Sequence, residues 1–460
     1  MSNSYSNNNK PFPIFTIDTL IECPSYIKKK TYVKKNTKPD EATHESSCEY
    51  NIITNVLTPQ ITKPSTTEDA ESTEPTNIIL PLSEENAYVR LYRSIIADEN
   101  LDILCYSPPT ALPIDEFKSK YPTITPEIYA NEIIEGTMIN LFYDKRQGSW
   151  EISTRATIGC NYWYYRTQYA NNKDESQLTF KEMFMECMGY NKSDPLTAIE
   201  LLQDLPINCC YSFVIQHPTN HMVLNIISPR IYLVAIYSIN KRVITCIPPP
   251  VYETWDIFLD TKISFPEKFV CSTYEEYAYY FASLHTSHEI LGVMFTHLET
   301  GDRTALSNVV YENIKKLRGN NPNLQYQFFA LKHLDDKQKF LKYFPMYNDQ
   351  FFHFNQEYQQ FINTVHQYYY TYYVLKQPQE SPIPKKYFIH VSRIHHNIYI
   401  PSLSTMRVII TRKVVENYFE NMTAGELMHY MYYEDKPKKV ILPKEEEEKE
   451  EVSIVTEESV

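Results

Sequence analysis

The chain has 460 residues, 43% of them hydrophobic, so it is long enough for two or three domains with sizeable cores. Its formal net charge is −13, and the last twenty residues, with eight Glu and two Lys, supply nearly half of that excess. This balance excludes a protein that binds nucleic acid through a strong overall positive charge, and leaves room only for local basic patches.

The cysteine count indicates the redox compartment of the chain, and the glycine count indicates where its backbone is constrained. Nine cysteines without a CxxC pair, an odd count, predict reduced thiols in the cytoplasm. No apolar run approaches the length of a membrane span, so no membrane partner is expected. Only eight glycines occur, between Gly136 and Gly425, and each is expected where a side chain would not fit. No sequence pattern predicts a metal site, a phosphate-cradling glycine loop or a GxSxG nucleophile.

Residues 1–82 are rich in Ser, Thr, Asn, Pro and Lys and contain no glycine. Their composition predicts a disordered N-terminal region. A lysine cluster at 28–30, 34, 35 and 38 lies inside it. Three interpretations stay open for this cluster: a tether for nucleic acid or an acidic partner, an import signal, or a solvated linker.

Order is expected from residue 83, and residues 83–334 are predicted to form an α+β domain. Ser83 precedes apolar residues at helical spacing (Val89, Tyr92, Ile95, Ile96), which predicts a first helix. Short apolar or alternating runs then predict mostly antiparallel strands, with helices inserted near 180–189 and 272–284.

After Asp335 aromatic residues recur three or four positions apart, which predicts an all-α domain over residues 335–437. Thr423 and Glu426 have the spacing of a capping box for its last helix. The many tyrosines are interpreted as packing residues, with base stacking as the alternative. Residues 438–460 are predicted to be a disordered acidic tail.

Three stretches carry a resemblance to a known family. The first is Asn131-Glu132-Ile133-Ile134-Glu135-Gly136, followed by Trp150-Glu151-Ile152-Ser153-Thr154-Arg155. It resembles the strand–turn–strand around the KxDG motif of ATP-dependent RNA ligases, members of the covalent nucleotidyltransferase superfamily. Ile133 stands where that family has its nucleophilic lysine, and no aliphatic side chain can attack the α-phosphate of ATP.

The other two stretches show the same kind of loss. Phe213-Val214-Ile215-Gln216-His217-Pro218-Thr219-Asn220-His221 is similar to the F-E-x-x-x-P-x-N-R segment of phage tRNA-repair ligases, with Val214 in the glutamate position. Leu291-Gly292-Val293 and Arg303-Thr304-Ala305-Leu306-Ser307 resemble the E-G-x-V and K-x-K strands. There, Leu291 replaces a carboxylate, and Ala305 and Ser307 replace the phosphate-binding lysines.

The resemblance covers roughly residues 86–375 and implies a nucleotidyltransferase fold. It predicts a catalytically degenerate RNA-ligase-like protein of a large DNA virus, located in the host cytoplasm or the virion. Such a protein would bind nucleotide or RNA, or act as a scaffold for viral proteins, and would need no cofactor. A vestigial cleft is predicted from the polar residues and the glycine that survive: Glu135, Gly136, Ser153, Arg155, Gln216, Asn220, Arg230 and Arg303.

Two alternatives remain. One is an active ligase or other nucleotidyltransferase that uses ATP and Mg²⁺, with relocated residues. Lys145 is its stand-in for the nucleophile, because Lys145 and Lys173 are the only lysines between Lys120 and Lys181. Glu289 is its stand-in carboxylate, expected on the strand face of Leu291. The other alternative is an unrelated structural protein that assembles through its aromatic helices.

Overall fold

The computed structural model describes residues 11–17, 27–35, 47–55, 88–162, 178–319, 321, 323–377, 382–404 and 408–432. The chain divides between Pro322 and Asn323 into two compact units. The first unit is α+β with antiparallel sheets and the second is helical, which confirms the predicted class. No helix of the described residues is long and apolar enough to cross a membrane.

The strands of the first unit form three sheets. The first has the order β1-β11-β10-β9-β7-β8, and β12 runs parallel to β10. The second has the order β14-β13-β6, and the third β2-β3-β4-β5; their described pairings are antiparallel. The bounds are β1 Ile14–Thr16, β2 Ile27–Lys35, β3 Ser47–Asn55, β4 Ile95–Ala97, β5 Ile103–Tyr106, β6 Ile128–Glu132, β7 Thr137–Asp144, β8 Ser149–Ser153, β9 Cys209–Gln216, β10 Arg230–Asn240, β11 Val243–Ile247, β12 Ile263–Ser264, β13 Gly292–His297 and β14 Arg303–Ser307.

Alternate apolar side chains along the strands point to the same face of a sheet, and these faces form the hydrophobic cores of this unit. On β9, Phe213 and Ile215 are fully buried against the helix Phe180–Met188, as the two-residue period of a strand requires. That helix starts at the capping box of Thr179 and Glu182 and ends at Gly189 in the left-handed conformation. The unit's helices are α1 Ile114–Lys120, α2 Phe180–Met188, α3 Pro249–Tyr252, α4 Tyr274–Phe281 and α5 Val309–Arg318, with 3₁₀ turns at Tyr88–Tyr92, Leu196–Ala198, Glu200–Gln203 and Asp256–Phe258.

The prediction of disorder over residues 1–82 is wrong for the described part of that region. β1 pairs with β11, and β2 and β3 pair with each other across nine residues. Tyr50 and Ile52 are buried in the core between the sheets, and this burial offsets the entropy of ordering the strands. The lysines at 28–30, 34 and 35 therefore lie on a strand. Residues 1–10, 18–26, 36–46 and 56–82 lie outside the described residues, and so does the acidic tail at 438–460. Lys38 is among them.

Two other boundaries differ from the sequence prediction. The expected helix around Val89 is a 3₁₀ turn, and Ile95 and Ile96 belong to β4, where both are buried in the sheet. A short apolar run suits a buried strand as well as a helix, and tertiary packing decided between them. The helical unit begins at Asn323, twelve residues before the predicted start at residue 335. The side chain of Gln325 is hydrogen-bonded to Glu357 and Tyr432, which belong to the same unit.

The second unit is a set of packed helices with an aromatic interior. Phe340 and Phe351 stack with ring centroids 5.0 Å apart, and both are buried. The predicted capping box of Thr423 and Glu426 is present. The helices are α6 Leu324–Ala330, α7 Leu334–Tyr343, α8 Asn348–Tyr369, α9 Lys385–Ile394, α10 Ile400–Ser402, α11 Arg412–Glu420 and α12 Ala424–Met431, with π-helical turns at Tyr370–Val374 and His395–Tyr399 and a 3₁₀ turn at Pro345–Tyr347.

A buried histidine makes this unit sensitive to acid. His390 is fully buried; burial first, and the charge of Arg393 second, lower its pKa to about 4 from 6.5. The unfolded chain therefore binds a proton on His390 between about pH 6.5 and pH 4, whereas the folded chain does not, so stability falls as the pH falls through that window.

We expect His390→Phe to lose less stability than the wild type between pH 7 and pH 5, by about 2 kcal/mol. Urea unfolding at the two pH values measures this difference. The exposed His353→Asn variant should keep the acid sensitivity of the wild type. Equal pH dependence of His390→Phe and wild type would contradict the prediction.

Candidate functional site

Residues 133–136 join β6 of the second sheet to β7 of the first. The turn that resembles the ligase nucleophile motif therefore lies where two sheets meet. Ile133 donates its N–H to the Gly292 carbonyl, 3.3 Å away, on β13. On the other side, the Gln216 side-chain amide donates to the Glu135 carbonyl at 3.0 Å from the end of β9. Both sheets hold the turn in place.

The Glu135 carboxylate is buried and fully engaged. It accepts hydrogen bonds from the backbone N–H groups of Met222, Val223 and Leu224, at 2.7 to 3.3 Å. The Tyr311 hydroxyl of α5 donates to it at 2.7 Å. Burial, followed by the charge of Glu135, raises the pKa of Tyr311, so this hydroxyl remains a donor. Glu135 is therefore an anchor for the loop after β9, with its lone pairs committed to the protein.

Two glycines allow the close approach of backbones at this junction. Gly136 has φ +154° and Gly292 has φ +135°, which L side chains rarely adopt. A Cβ on Gly292 would fall well inside contact distance of the Leu306 carbonyl oxygen. A Cβ on Gly136 would meet the Ile215 carbonyl oxygen and would lie 2.8 Å from a methyl of Val214. Neither position accepts a larger residue without backbone movement.

We expect Gly292→Ala to lower the free energy of unfolding by about 2 kcal/mol or more, because the backbone itself blocks the new methyl group. Gly425 in helix α12 offers a matched control, since a Cβ added there would meet nothing within 4 Å. Gly425→Ala should stabilise the chain by about 0.5–1 kcal/mol. Denaturant unfolding of both variants checks the pair, and similar effects of the two substitutions would contradict it.

The five positions that depart from the ligase pattern are apolar or short in the structure as well. Val214 and Leu291 are both 7% exposed, on β9 and just before β13. Ile133 is half-buried in the turn, Ala305 lies opposite Met294, and Ser307 lies opposite Gly292 on the exposed end of β14. No ammonium or carboxylate is provided at these positions.

The two stand-in candidates, Lys145 and Glu289, are both exposed. Lys145 is exposed in the turn after β7, at the opposite end of that strand from Gly136, roughly 30 Å along the chain direction. Glu289 is exposed in the loop before β13, and its N–H bonds to Ser287 Oγ. The strand begins only at Gly292, so the expectation that Glu289 shares a strand face with Leu291 is wrong.

The other predicted cleft residues fall into separate groups. Asn220 donates to Thr137 Oγ1 at 2.8 Å, and thus holds the loop beside Gly136. Ser153 is fully buried at the end of β8, beside the Cys105 thiol. Arg230 is exposed at the start of β10. His221, at the position of a family arginine, has its pKa lowered by burial, with Glu135 opposing this effect.

Arg155 and Arg303 belong to a second group, together with Arg93, which the sequence analysis missed. We call these three residues the arginine cluster. Arg93 follows the first 3₁₀ turn, Arg155 follows β8, and Arg303 begins β14. Burial lowers the pKa of Arg93 to about 10, and the positive charges of Arg303 and Arg155 contribute to this shift. The Ser94 hydroxyl, next to Arg93 in the chain, donates to the Arg155 carbonyl at 2.9 Å, so the segments that carry Arg93 and Arg155 are in contact.

No carboxylate of the described residues forms an ion pair with the arginine cluster. Arg155 is exposed and donates to the Asn55 carbonyl at 3.0 Å, while Arg93 and Arg303 are half-buried. Nε of Arg303 is buried without a hydrogen-bond partner. The Tyr106 hydroxyl, close enough for the Arg303 charge to act on its pKa, is also buried without a partner. Desolvated cations are costly, and an anion beside the guanidinium groups would offset that cost.

Comparisons with known proteins give limited similarity. No protein-family model and no curated protein matches the chain. Among solved structures, an RNA ligase of Naegleria gruberi, a lysine-to-alanine mutant with ATP and Mn, is similar at 13% identity and a TM-score of 0.29. The match covers 41% of this chain and 51% of that one.

A second structure of the same ligase, a glutamate-to-alanine mutant with ATP and Mn, is similar at 11% identity and a TM-score of 0.31. It covers 45% of this chain and 57% of that one. The chain therefore spans little more than half the length of these solved structures. At such TM-scores the similarity carries no functional weight.

Proposed function

We propose that this chain is a ligase-like protein that has lost covalent nucleotidyl transfer and binds a phosphorylated ligand at the arginine cluster. The observation that carries the proposal is the set of three guanidinium groups without a carboxylate partner among the described residues. Guanidinium donates paired N–H groups in a planar fork that matches phosphate oxygens. A phosphate group would neutralise the repulsion among these charges.

The loss of transfer chemistry is supported by the side chains at the turn between the sheets. Covalent transfer needs a nucleophile, and Ile133 provides none. Glu135 is bound by three backbone N–H groups and Tyr311, so its lone pairs are not available for a metal ion. Binding without covalent transfer is what remains. A viral setting and a scaffolding role stay predictions of the sequence resemblance.

Calorimetric titration with inorganic tripolyphosphate and with ATP tests the binding step. We expect saturable binding of tripolyphosphate, which Arg303→Gln weakens about tenfold or more, because each charged hydrogen bond contributes about 1.5–3 kcal/mol. Arg230→Gln, at an exposed arginine outside the arginine cluster, should bind as the wild type does. Absence of binding at millimolar tripolyphosphate would refute the proposal.

A labelling experiment separates this proposal from the active alternative. The full chain is incubated with ATP labelled at the α-phosphate and Mg²⁺, and is then run on a denaturing gel. We expect no labelled protein band. A band that disappears in Lys145→Ala would establish covalent chemistry at a relocated lysine and overturn the proposal.

A further inference from the structure

A cavity of about 560 Å³ lies in the second unit, between helix α11, the first turn of α12 and the π-helical turn His395–Tyr399. Its volume is in the range of ligand sites in proteins. Three exposed carboxamide side chains line it: Asn397 from the π-helical turn, Asn417 from α11 and Asn421 at the end of that helix. Glu426 of α12 adds a carboxylate, and no lysine or arginine of the described residues lines the cavity. Its chemistry therefore differs from that of the arginine cluster and does not attract phosphate.

The π-helical turn is an unusual wall for a cavity. Such turns are rare and are found frequently at functional sites. Here the turn follows α9 and contributes Asn397 and Ile398 to the cavity wall. Its first residue, His395, is stacked between two tyrosine rings, with centroids 3.6 Å from Tyr373 and 5.2 Å from Tyr399. The turn is thus held in place by aromatic stacking, and two independent features of the second unit meet at one place.

The spacing of two asparagines indicates the kind of ligand. Asn417 and Asn421 stand four positions apart, and Asn421 keeps helical dihedral angles (φ −79°, ψ −8°). They therefore lie on one face of the helix, roughly 6 Å apart along its axis. A carboxamide presents a donor N–H beside an acceptor oxygen, and a residue of an extended peptide presents the same pair to one side. That pair returns to the same side every second residue, after roughly 6.6–6.8 Å, so the two asparagines match alternate residues of an extended peptide.

The hydrogen bonds within the wall are compatible with this match. Asn421 donates from Nδ2 to the backbone carbonyl of Asn417 at 2.9 Å, which uses one of its two amide hydrogens and orients the side chain along the helix. Oε2 of Glu426 accepts from the N–H of Thr423 at 2.8 Å and from its hydroxyl at 2.9 Å. The capping box thus fixes this carboxylate at the cavity. A basic side chain of a bound peptide would complement its negative charge.

We infer that this cavity binds an extended peptide segment of another protein. The backbone amides of alternate peptide residues pair with Asn417 and Asn421, and a basic peptide side chain lies beside Glu426. Ile398 and Met422, which also line the cavity, provide apolar contacts for the neighbouring peptide side chains. The site makes no use of the arginine cluster, so its test is independent of the proposed function.

Selection from a phage-displayed library of random heptapeptides on the full chain tests the inference. We expect the enriched peptides to contain Lys or Arg, and labelled synthetic copies to bind in fluorescence anisotropy. Asn417→Ala should weaken this binding about tenfold, because two hydrogen bonds to the peptide backbone are lost. Alanine suits a helix, and Asn421 bonds to the backbone of residue 417, so the variant should keep its fold. Glu426→Gln retains a capping-box residue and should weaken binding about threefold through the lost charge.

The control is Asn355→Ala, at an exposed asparagine of α8, which should bind the peptides as the wild type does. A second measurement replaces single peptide N–H groups by ester oxygens, one position at a time. Binding should weaken at alternate positions and stay unchanged between them. The inference fails if no peptide is enriched, or if the enriched peptides bind Asn417→Ala as tightly as the wild type. Equal sensitivity to the ester at every position would also overturn it, because the pairing requires a two-residue repeat.

Discussion

Glu135→Ala should lower the free energy of unfolding of the first unit by about 3–5 kcal/mol. The substitution leaves the N–H groups of Met222, Val223 and Leu224 and the Tyr311 hydroxyl without their acceptor in a buried place. Each unsatisfied buried donor costs about 1–3 kcal/mol, partly relieved if water enters. Denaturant unfolding, followed by the fluorescence of Trp150 and Trp255 in this unit, measures the loss.

Two control substitutions are measured beside Glu135→Ala. Tyr311→Phe removes one of the hydrogen bonds and should cost about 1 kcal/mol. Glu200→Ala, at an exposed carboxylate, should stay within about 0.5 kcal/mol of the wild type. If Glu135→Ala unfolds at the same denaturant concentration as the wild type, Glu135 is not the anchor described above.

The second large effect is expected for Arg93→Met. This substitution should raise the free energy of unfolding of the ligand-free protein and reduce the stabilisation that tripolyphosphate provides. Folding lowers the pKa of Arg93 to about 10 from 12.5, through burial and then the charges of Arg303 and Arg155. A base whose pKa is lowered on folding costs stability at any pH below its folded pKa, including pH 7. Methionine fills similar volume without charge, so we expect a gain of about 1–3 kcal/mol at pH 7.

The same substitution should remove most of the stabilisation by tripolyphosphate. In the wild type, a ligand at a hundred times its Kd raises the free energy of unfolding by about 2.7 kcal/mol. Thermal unfolding with and without tripolyphosphate measures both effects at once. Arg230→Met is the control, and neither its ligand-free stability nor its anion response should change. A less stable Arg93→Met protein would mean that Arg93 is a structural residue whose charge is already compensated.

Much of the first unit could be predicted because local pattern and packing agree there. The alternation of Phe213 and Ile215 on β9, and the capping box before α2, express the same local rules in sequence and structure. Strand β2 was missed because five of its nine residues are Lys. Its order comes from pairing with β3, whose Tyr50 and Ile52 are buried by residues far along the chain.

At the candidate site too, the sequence predicted local features but not contacts between distant parts of the chain. The sequence identified the turn at 133–136 and the glycines that permit it, because a glycine at positive φ is a local requirement. The same reasoning placed Glu135 in an open cleft, whereas its partners come from residues 222–224 and 311. Arg93 carried no signal either. Its proximity to Arg155 and Arg303 depends on how three sheets meet, which no local pattern encodes.

The carboxylate of Glu135 has a consequence for motion. It ties the turn between two sheets, the loop at 222–224 and helix α5, three segments that are distant in sequence. Opening any one of them exposes an uncompensated negative charge, so the three should exchange their amide hydrogens at a common rate, as one cooperative opening unit. The Glu135 carboxylate would then couple the slow opening motions of these three segments.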